Sequence, residues 1–359
     1  MSSRRLFAAA LVCALPFASV AAETAETAEA PAAGTVKWVM PWKAGMAHKY
    51  AMEDIETETK AGVRAQQRTR STVNVRIAQA PDGGFVQAWS DEPGSARYEI
   101  LEGAKTREAA MQKAMQDLAD VVIEVGLDKE GNYAGMRNLD DVLPRLRKAM
   151  LPVAQSEMDA LIEKAEQDPA KREQARKAAA EGIAKGMDTM FAPAVAENLL
   201  TRNIQTYNGF FNIDLEPDMA YELETKLPNP FGGDAFPAKM TLSLSVSKDD
   251  PEDLFVVFDQ AIDPAGMAKT VEAMMEKLGG DKAAVAATKE ALEKLSLVDE
   301  GLFVVHRPTG VIEMFETTRT TKVDGLEKIE RHRQRLLDGE HDHVWKDEEV
   351  VEEEVTIAE

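Results

Sequence analysis

Period-two alternation dominates this chain. Val73, Val75 and Ile77 alternate with Asn74 and Arg76, Pro81-Asp82-Gly83-Gly84 makes a turn, and 85–90 returns. Apolar positions two apart share one face of a strand, and Pro/Asp/Gly clusters close hairpins. The spacing therefore predicts a hairpin here. A second is predicted where Val121, Ile123, Val125 and Leu127 lead through a turn at 128–131 into 132–136. Met240, Leu242, Leu244 and Val246, interleaved with Thr241, Ser243 and Ser245, open a third, which returns over 254–258 after Asp249-Asp250-Pro251. A fourth runs from 302–307 through Pro308-Thr309-Gly310 into 311–318. One greasy and one wet face is the pattern of an antiparallel sheet solvated on one side.

Helical periodicity fills the gaps. Met111, Met115 and Leu118 form an apolar stripe within 106–119. Residues 139–166 read as helical, with Pro144 and Pro152 expected to break or bend them. Asp168-Pro169 is a start signal, a capping side chain followed by a residue preset for the first turn. An alanine-rich helix should follow to about 204, with Ile183, Met187, Met190 and Phe191 on one side. Further helices are expected over 264–278 and 282–296, and a last one over 326–337.

The hairpins can be read as two copies. Residues 55–60 read IETETK, and 221–226 read YELETK, 166 positions later. A Pro/Asp/Gly turn, a helical stretch and a second hairpin follow each. The expected repeats are 46–138 and 216–320, separated by a helical insert at 139–210. The predicted fold is α+β: a large curved antiparallel sheet of about ten strands, half-barrel-like, packed on helices, within a single large domain over 35–337. The apolar face then supplies candidate ligand-lining residues: Val73, Val75 and Ile77 from the first copy, and Met240, Leu242, Leu244 and Val246 from the second. Met187 and Met190 join them from the helices, because methionine surfaces adapt to variable apolar ligands.

The ends add a compartment. Arg4-Arg5, an apolar stretch over 6–20 and the small residues Val20-Ala21-Ala22 describe a signal peptide over 1–22. Its apolar run falls short of the roughly 20 residues a membrane span needs, and Pro16 interrupts it, so no transmembrane segment is expected. Residues 23–34 (ETAETAEAPAAG) read as a flexible linker and 338–359 as an acidic tail. The expected location is the periplasm or the extracellular medium. The only cysteine, Cys13, lies in the leader, so a processed chain has no thiol chemistry.

The net charge of −21 becomes more negative once Arg4 and Arg5 are removed. Such a surface repels nucleic acid and anionic headgroups. The sequence has no Gly-x-Ser-x-Gly, no phosphate-cradling glycine loop and no His-Glu-x-x-His. Ser245-x-x-Lys248 sits on the wet side of a strand, where the penicillin-recognising serine motif does not occur. His306 and His48 read as ordinary strand residues. His341 and His343, flanking Asp342, are the positions from which a metal could be held, but the surrounding charge run reads as a solvated tail, and no metal is assigned. The pairs Glu56/Glu58 and Glu222/Glu224 read as solubilising. Neither catalysis nor a cofactor is expected. Two functions fit: an envelope protein that binds an apolar or amphipathic ligand, a lipid or lipidated peptide; or an interaction or assembly protein that meets another envelope protein with no small ligand.

Trp42-Lys43-Ala44-Gly45-Met46, the hairpin around Asp82-Gly83 and the step Pro228-Asn229-Pro230-Phe231-Gly232-Gly233-Asp234 resemble secreted bacterial domains of unknown function. Over residues 38–320 their general shape looks like the lipoprotein-carrier proteins of the envelope, which hold acyl chains under a half-barrel. The resemblance implies architecture and assigns no ligand contact to any residue here.

Overall fold

The computed structural model describes residues 34–227, 236–263, 266, 295–323 and 325–337. Fourteen strands are present among them. β1 (Val36–Lys37) pairs with β8 (Asp214–Leu215) in a small two-stranded sheet. The other twelve form one curved antiparallel sheet. The first half contains β2 (Ala47–Lys60), β3 (Val63–Gln79), β4 (Phe85–Asp91), β5 (Arg97–Glu102), β6 (Val122–Leu127) and β7 (Tyr133–Met136). The second contains β9 (Ala220–Leu227), β10 (Phe236–Val246), β11 (Asp253–Ile262), β12 (Ser296–His306), β13 (Val311–Val323) and β14 (Leu326–Leu336). The spatial order is β7-β6-β4-β3-β2-β14-β13-β12-β11-β10-β9, with β5 on the first part of β3. The sheet is open. All four predicted hairpins belong to it, and the fold is α+β.

Among the described residues, α1 (Glu108–Leu118) lies between β5 and β6, and α2 (Leu139–Ala165), α3 (Pro169–Met190) and α4 (Pro193–Tyr207) lie between β7 and β8. Asp168 caps α3, its carboxylate accepting the Ala170 N–H at 2.8 Å. Pro144 and Pro152 do not end α2, which runs through both. The alanine-rich helix is shorter than expected: α3 stops at Met190, and Pro193 opens α4 in its first turn. Residues 267–294 and 338–359 lie outside the described residues, and with them the expected helices there, Met274 and Met275, and the His341/His343 pair.

The expected helix over 326–337 is instead strand β14. It pairs with β13 along one side and β2 along the other, Arg333 lying between Glu316 and Glu53. This closes the seam between the two halves. Its sequence, LEKIERHRQRL, has few apolar positions from which to read a period. Ladder hydrogen bonds to both neighbours hold it, and a row of cross-strand charge on the outer face adds to them. Arg333 reaches Glu53 at 3.4 Å and Glu316 at 3.6 Å, and Glu53 in turn meets Arg70 on β3 at 2.5 Å. Opposite charges directly across a ladder stabilise it.

The core lies on the inner face. The end of α4 and the turn after it drive Tyr207, Phe210 and Phe211 onto the sheet. Trp38 and Trp42, from the segment after β1, fold over from the other side. Phe303 stacks on Phe315 with centroids 4.6 Å apart, and Phe210 stacks on Phe258 at 5.0 Å. The Tyr50 and Tyr207 hydroxyls share a 2.7 Å hydrogen bond inside this cluster.

Candidate functional site

The inner face changes character along the strands. On β2 the inward series is Tyr50, Met52, Asp54 and Glu56; on β3, read back along it, Val73, Ser71, Thr69 and Gln67; on β14, Leu336, Gln334, His332 and Glu330. Each begins apolar in the aromatic core and ends polar. The helices cover the polar part without filling it, and a trough remains between helices and sheet.

Its first compartment has a volume of about 330 Å³. The floor is Met52, Val73, Trp89 and Ile123. The roof comes from helical stripes. Met115 and Leu118 of α1, Val142 and Leu146 of α2, and Leu199 and Ile204 of α4 all face it. The spacing of 142, 146, 149 and 153 puts one side of α2 inward, and Ala149 and Val153 pack on Ala114 of α1, fixing the roof's geometry. Asp54, His332 and Gln334 line its polar side, and Asp91, opposite Val73, lies nearer the aromatic core.

A second compartment of about 120 Å³ shares Asp54, Thr69, Asn203 and His332 with the first. It is charged. Arg319 and Asp299, side chains 5% and 1% exposed, make a two-pronged pair at 2.8 and 3.1 Å. Arg202 reaches down from α4 to Glu330 at 3.7 Å. Burial, with the Arg319 charge adding to it, pulls the Arg202 guanidinium below its ordinary value. Burial likewise raises the Asp299 carboxyl, against the opposing pull of Arg319. Glu330 goes the other way: burial would raise it, but Arg202, Lys328 and Arg319 together bring it below the usual glutamate range. A third compartment of about 460 Å³ continues from Glu56 and Gln67 to Arg107, Glu157 and Leu161 on the outer end of the helices.

His332 joins the first two compartments. Its ring is 3% exposed, Nδ1 lies 2.8 Å from Asp54 Oδ1, and Nε2 has no hydrogen-bond partner among the described residues. Asp91 is raised above the ordinary aspartate range, chiefly by burial and further by the Asp54 charge, while a hydrogen bond from Ser71 opposes the rise.

The chain aligns with several solved structures. It aligns over 82% of its length with lipovitellin, from a study of lipid–protein interactions, at 9% identity and a TM-score of 0.38, and spans 25% of that chain. It aligns over 80% with the β domain of the Bordetella autotransporter BrkA, at 5% identity and a TM-score of 0.24, covering 98% of that chain. An outer membrane channel of Pseudomonas putida F1 matches 86% of it at 6% identity and a TM-score of 0.21, with 99% of that chain covered. No family model matches the sequence, and no curated protein matches it.

The residues read from the sequence as ligand-lining occupy a different place. Val73, Val75, Ile77, Met240, Leu242 and Leu244 are each at most 5% exposed and sit in the aromatic core, with Val246 packed at its margin. The gap among Trp38, Phe210, Leu242, Leu244 and their neighbours has no room for a water molecule. Only Val73 also borders the trough. Met187 is half-buried on α3, and Met190 is 49% exposed there. Met115, on the predicted stripe of α1, does line the trough. Asp54, Asp91, His332 and Gln334 carried no sequence signal: they line one cavity only because β14 pairs with β2 and β4 stands across β3 from them. Among the described residues no three His, Cys, Asp or Glu side chains converge as a metal site, and no helix is long and apolar enough to cross a membrane.

Proposed function

We propose that this is an exported protein, periplasmic or secreted, that binds an apolar or amphipathic ligand, such as a lipid or lipidated peptide, without catalysis. The trough between helices and sheet carries this reading. Its first compartment is walled by aliphatic, aromatic and methionine side chains, and its 330 Å³ lies within the range of small-molecule sites. A few polar groups, Asp54, Asp91, His332 and Gln334, interrupt its apolar wall, and such groups can fix the orientation of an amphiphile. The core face proposed from sequence is filled by the chain's own aromatics, so the ligand belongs one layer further along the strands. The signal-like leader supports the exported location.

The test is to purify the full chain from its host, extract it with organic solvent and analyse the extract by mass spectrometry. A co-purifying amphiphile at near one per chain is the expected result. An empty extract, together with failure of a fluorescent fatty-chain probe to bind, overturns the reading and leaves the assembly protein in its place.

A further inference from the structure

The outer face of the sheet carries a cationic band in a chain whose net charge is −21. Arg331, Arg333 and Arg335 take successive outward positions on β14, and Arg64, Arg68 and Arg70 point the same way from β3, on the far side of β2. The carboxylates that pair with this group are Glu53, Glu99, Glu102 and Glu316, at 2.5–3.9 Å. Six guanidinium groups against four carboxylates leave the band positive.

An apolar strip runs into it. Phe255 of β11, Val304 of β12, Met314 of β13 and Arg335 of β14 stand side by side in one cross-strand row. They point outward, because their neighbours Leu254, Phe303 and Phe315 point into the core. Val304 is 1% exposed and Arg333, in the next row, is 6% exposed. Phe255 and Met314 are half-buried. The helices that roof the trough lie on the opposite side of the sheet and cannot shield these residues. Strand neighbours alone do not close the face of a single layer to water, so burial of this depth marks a face that is covered.

The end of β14 says by what. Leu337, two positions past Arg335, donates its N–H to the Lys49 carbonyl at 2.8 Å and is 42% exposed. The residues that follow, 338–359, include ten acidic residues and one lysine, with Val344-Trp345 and Val350-Val351 set among them. Val304 stands two strands from β14, about 10 Å away. The stretch from Leu337 to Trp345 can span up to about 27 Å. An acidic segment with apolar pairs therefore begins within reach of a face that is part cationic and part apolar.

We propose that residues 338–359 turn back over the outer face as an intramolecular strap. Val344 and Trp345 seat on Phe255, Val304 and Met314, and the acidic run 347–354 lies along the arginines of β14 and β3. The strap offsets the excess positive charge and crosses the seam where β14 joins β2, through charge-assisted hydrogen bonds to the guanidinium groups.

The full chain carrying Cys13→Ser has no thiol, so introduced cysteines can hold nitroxide labels, and double electron–electron resonance reads the distance between them. Glu348→Cys marks the tail. Val257→Cys marks the outer face at a position 45% exposed, and Ala180→Cys marks exposed surface on α3, on the helical side. The tail-to-face pair is expected to give one narrow distribution, at a shorter distance than the tail-to-helix pair. Trp345→Ser should broaden the tail-to-face distribution about twofold or more while the far-UV circular dichroism spectrum is retained, since no described strand is altered. Broad distributions in both pairs overturn the proposal. A shorter distance to α3 than to β11 overturns it by placing the tail over the helices. A tail-to-face distance that Trp345→Ser leaves unmoved overturns it by removing the anchor. A defined distance between chains labelled only at Val257→Cys overturns it by giving the face to a second copy of the chain.

Discussion

Asn208 and Gln87 stand 121 positions apart and exchange two hydrogen bonds. Gln87 Nε2 donates to Asn208 Oδ1 at 3.0 Å, and Asn208 Nδ2 donates to Gln87 Oε1 at 2.9 Å. Both side chains are fully buried among aromatics. Trp42 donates to the same Asn208 oxygen at 3.1 Å, and Trp89 donates to the Gln87 oxygen at 3.2 Å. Asn208 also donates to the Ile204 carbonyl at 2.8 Å, at the end of α4. One side chain thus ties α4, strand β4 and Trp42 together. Asn208→Ala should cost about 3 kcal/mol in urea unfolding, because buried donors and acceptors on Gln87 and Trp42 lose their partners. The double variant Asn208→Leu/Gln87→Leu should be no more stable than Asn208→Ala, because it strands the buried indole N–H groups of both Trp42 and Trp89.

Gly301 of β12 lies directly opposite Phe258 of β11 on the inner face. A β-carbon at Gly301 would occupy the space of the Phe258 ring. That ring is also stacked on Phe210, so it has little freedom to yield. Gly301→Ala is expected to destabilise by about 1–3 kcal/mol, the usual penalty for overpacking. In a Phe258→Leu background the same change should be close to neutral. Thermal melts of the four proteins measure the coupling, and equal penalties in both backgrounds would show that the ring does not depend on the glycine.

The Arg319–Asp299 pair predicts an asymmetry. Removing one partner leaves the other charged and buried beneath Arg202. Arg319→Met should therefore destabilise by about 3–5 kcal/mol. Arg319→Met/Asp299→Leu should come within about 1 kcal/mol of the parent, because neither charge then pays for burial. A double variant no more stable than Arg319→Met would assign the loss to packing rather than charge.

Two carboxylates lying on either side of the trough should give opposite pH signatures. Glu330 titrates below its ordinary value of 4.5 in the fold, so its ion pairs contribute stability that is complete above that value and is lost as pH falls through the lowered native one. Glu330→Gln should thus be less stable than the parent at pH 7, and the difference should shrink towards pH 3. Asp91 titrates above its ordinary 3.8, so the native state holds its proton more firmly than the unfolded chain does. Its contribution worsens as pH rises from 3.8 through the raised native value. Asp91→Asn should match or exceed the parent in stability at pH 7, with the gain vanishing in acid. Denaturant titrations at pH 3, 5 and 7 check both, and parallel curves for either variant would contradict the assignment.

What the sequence determined by itself is the sheet. The alternations at 73–77, 121–127, 240–246 and 302–307 place one apolar face in every hairpin, because side chains two apart along a strand always share a side, whatever the strand pairs with. The Asp168-Pro169 start of α3 and the inward stripe of α1 were legible for the same reason: capping and helical period act locally. The tertiary structure alone decided where β14 goes and what lies beneath the helices. Leu326–Leu336 shows no clean period, since its inward positions Glu330, His332 and Gln334 face a polar trough rather than a dry core. Its strand conformation comes from hydrogen bonds to β2 and β13, the former partner some 270 positions away. The core position of Val75 and Leu242 likewise depends on Trp38, Tyr207 and Phe210, which arrive from segments distant in sequence. Alternation reports that a face is apolar; only the folded chain settles whether its own aromatics or a ligand will cover it.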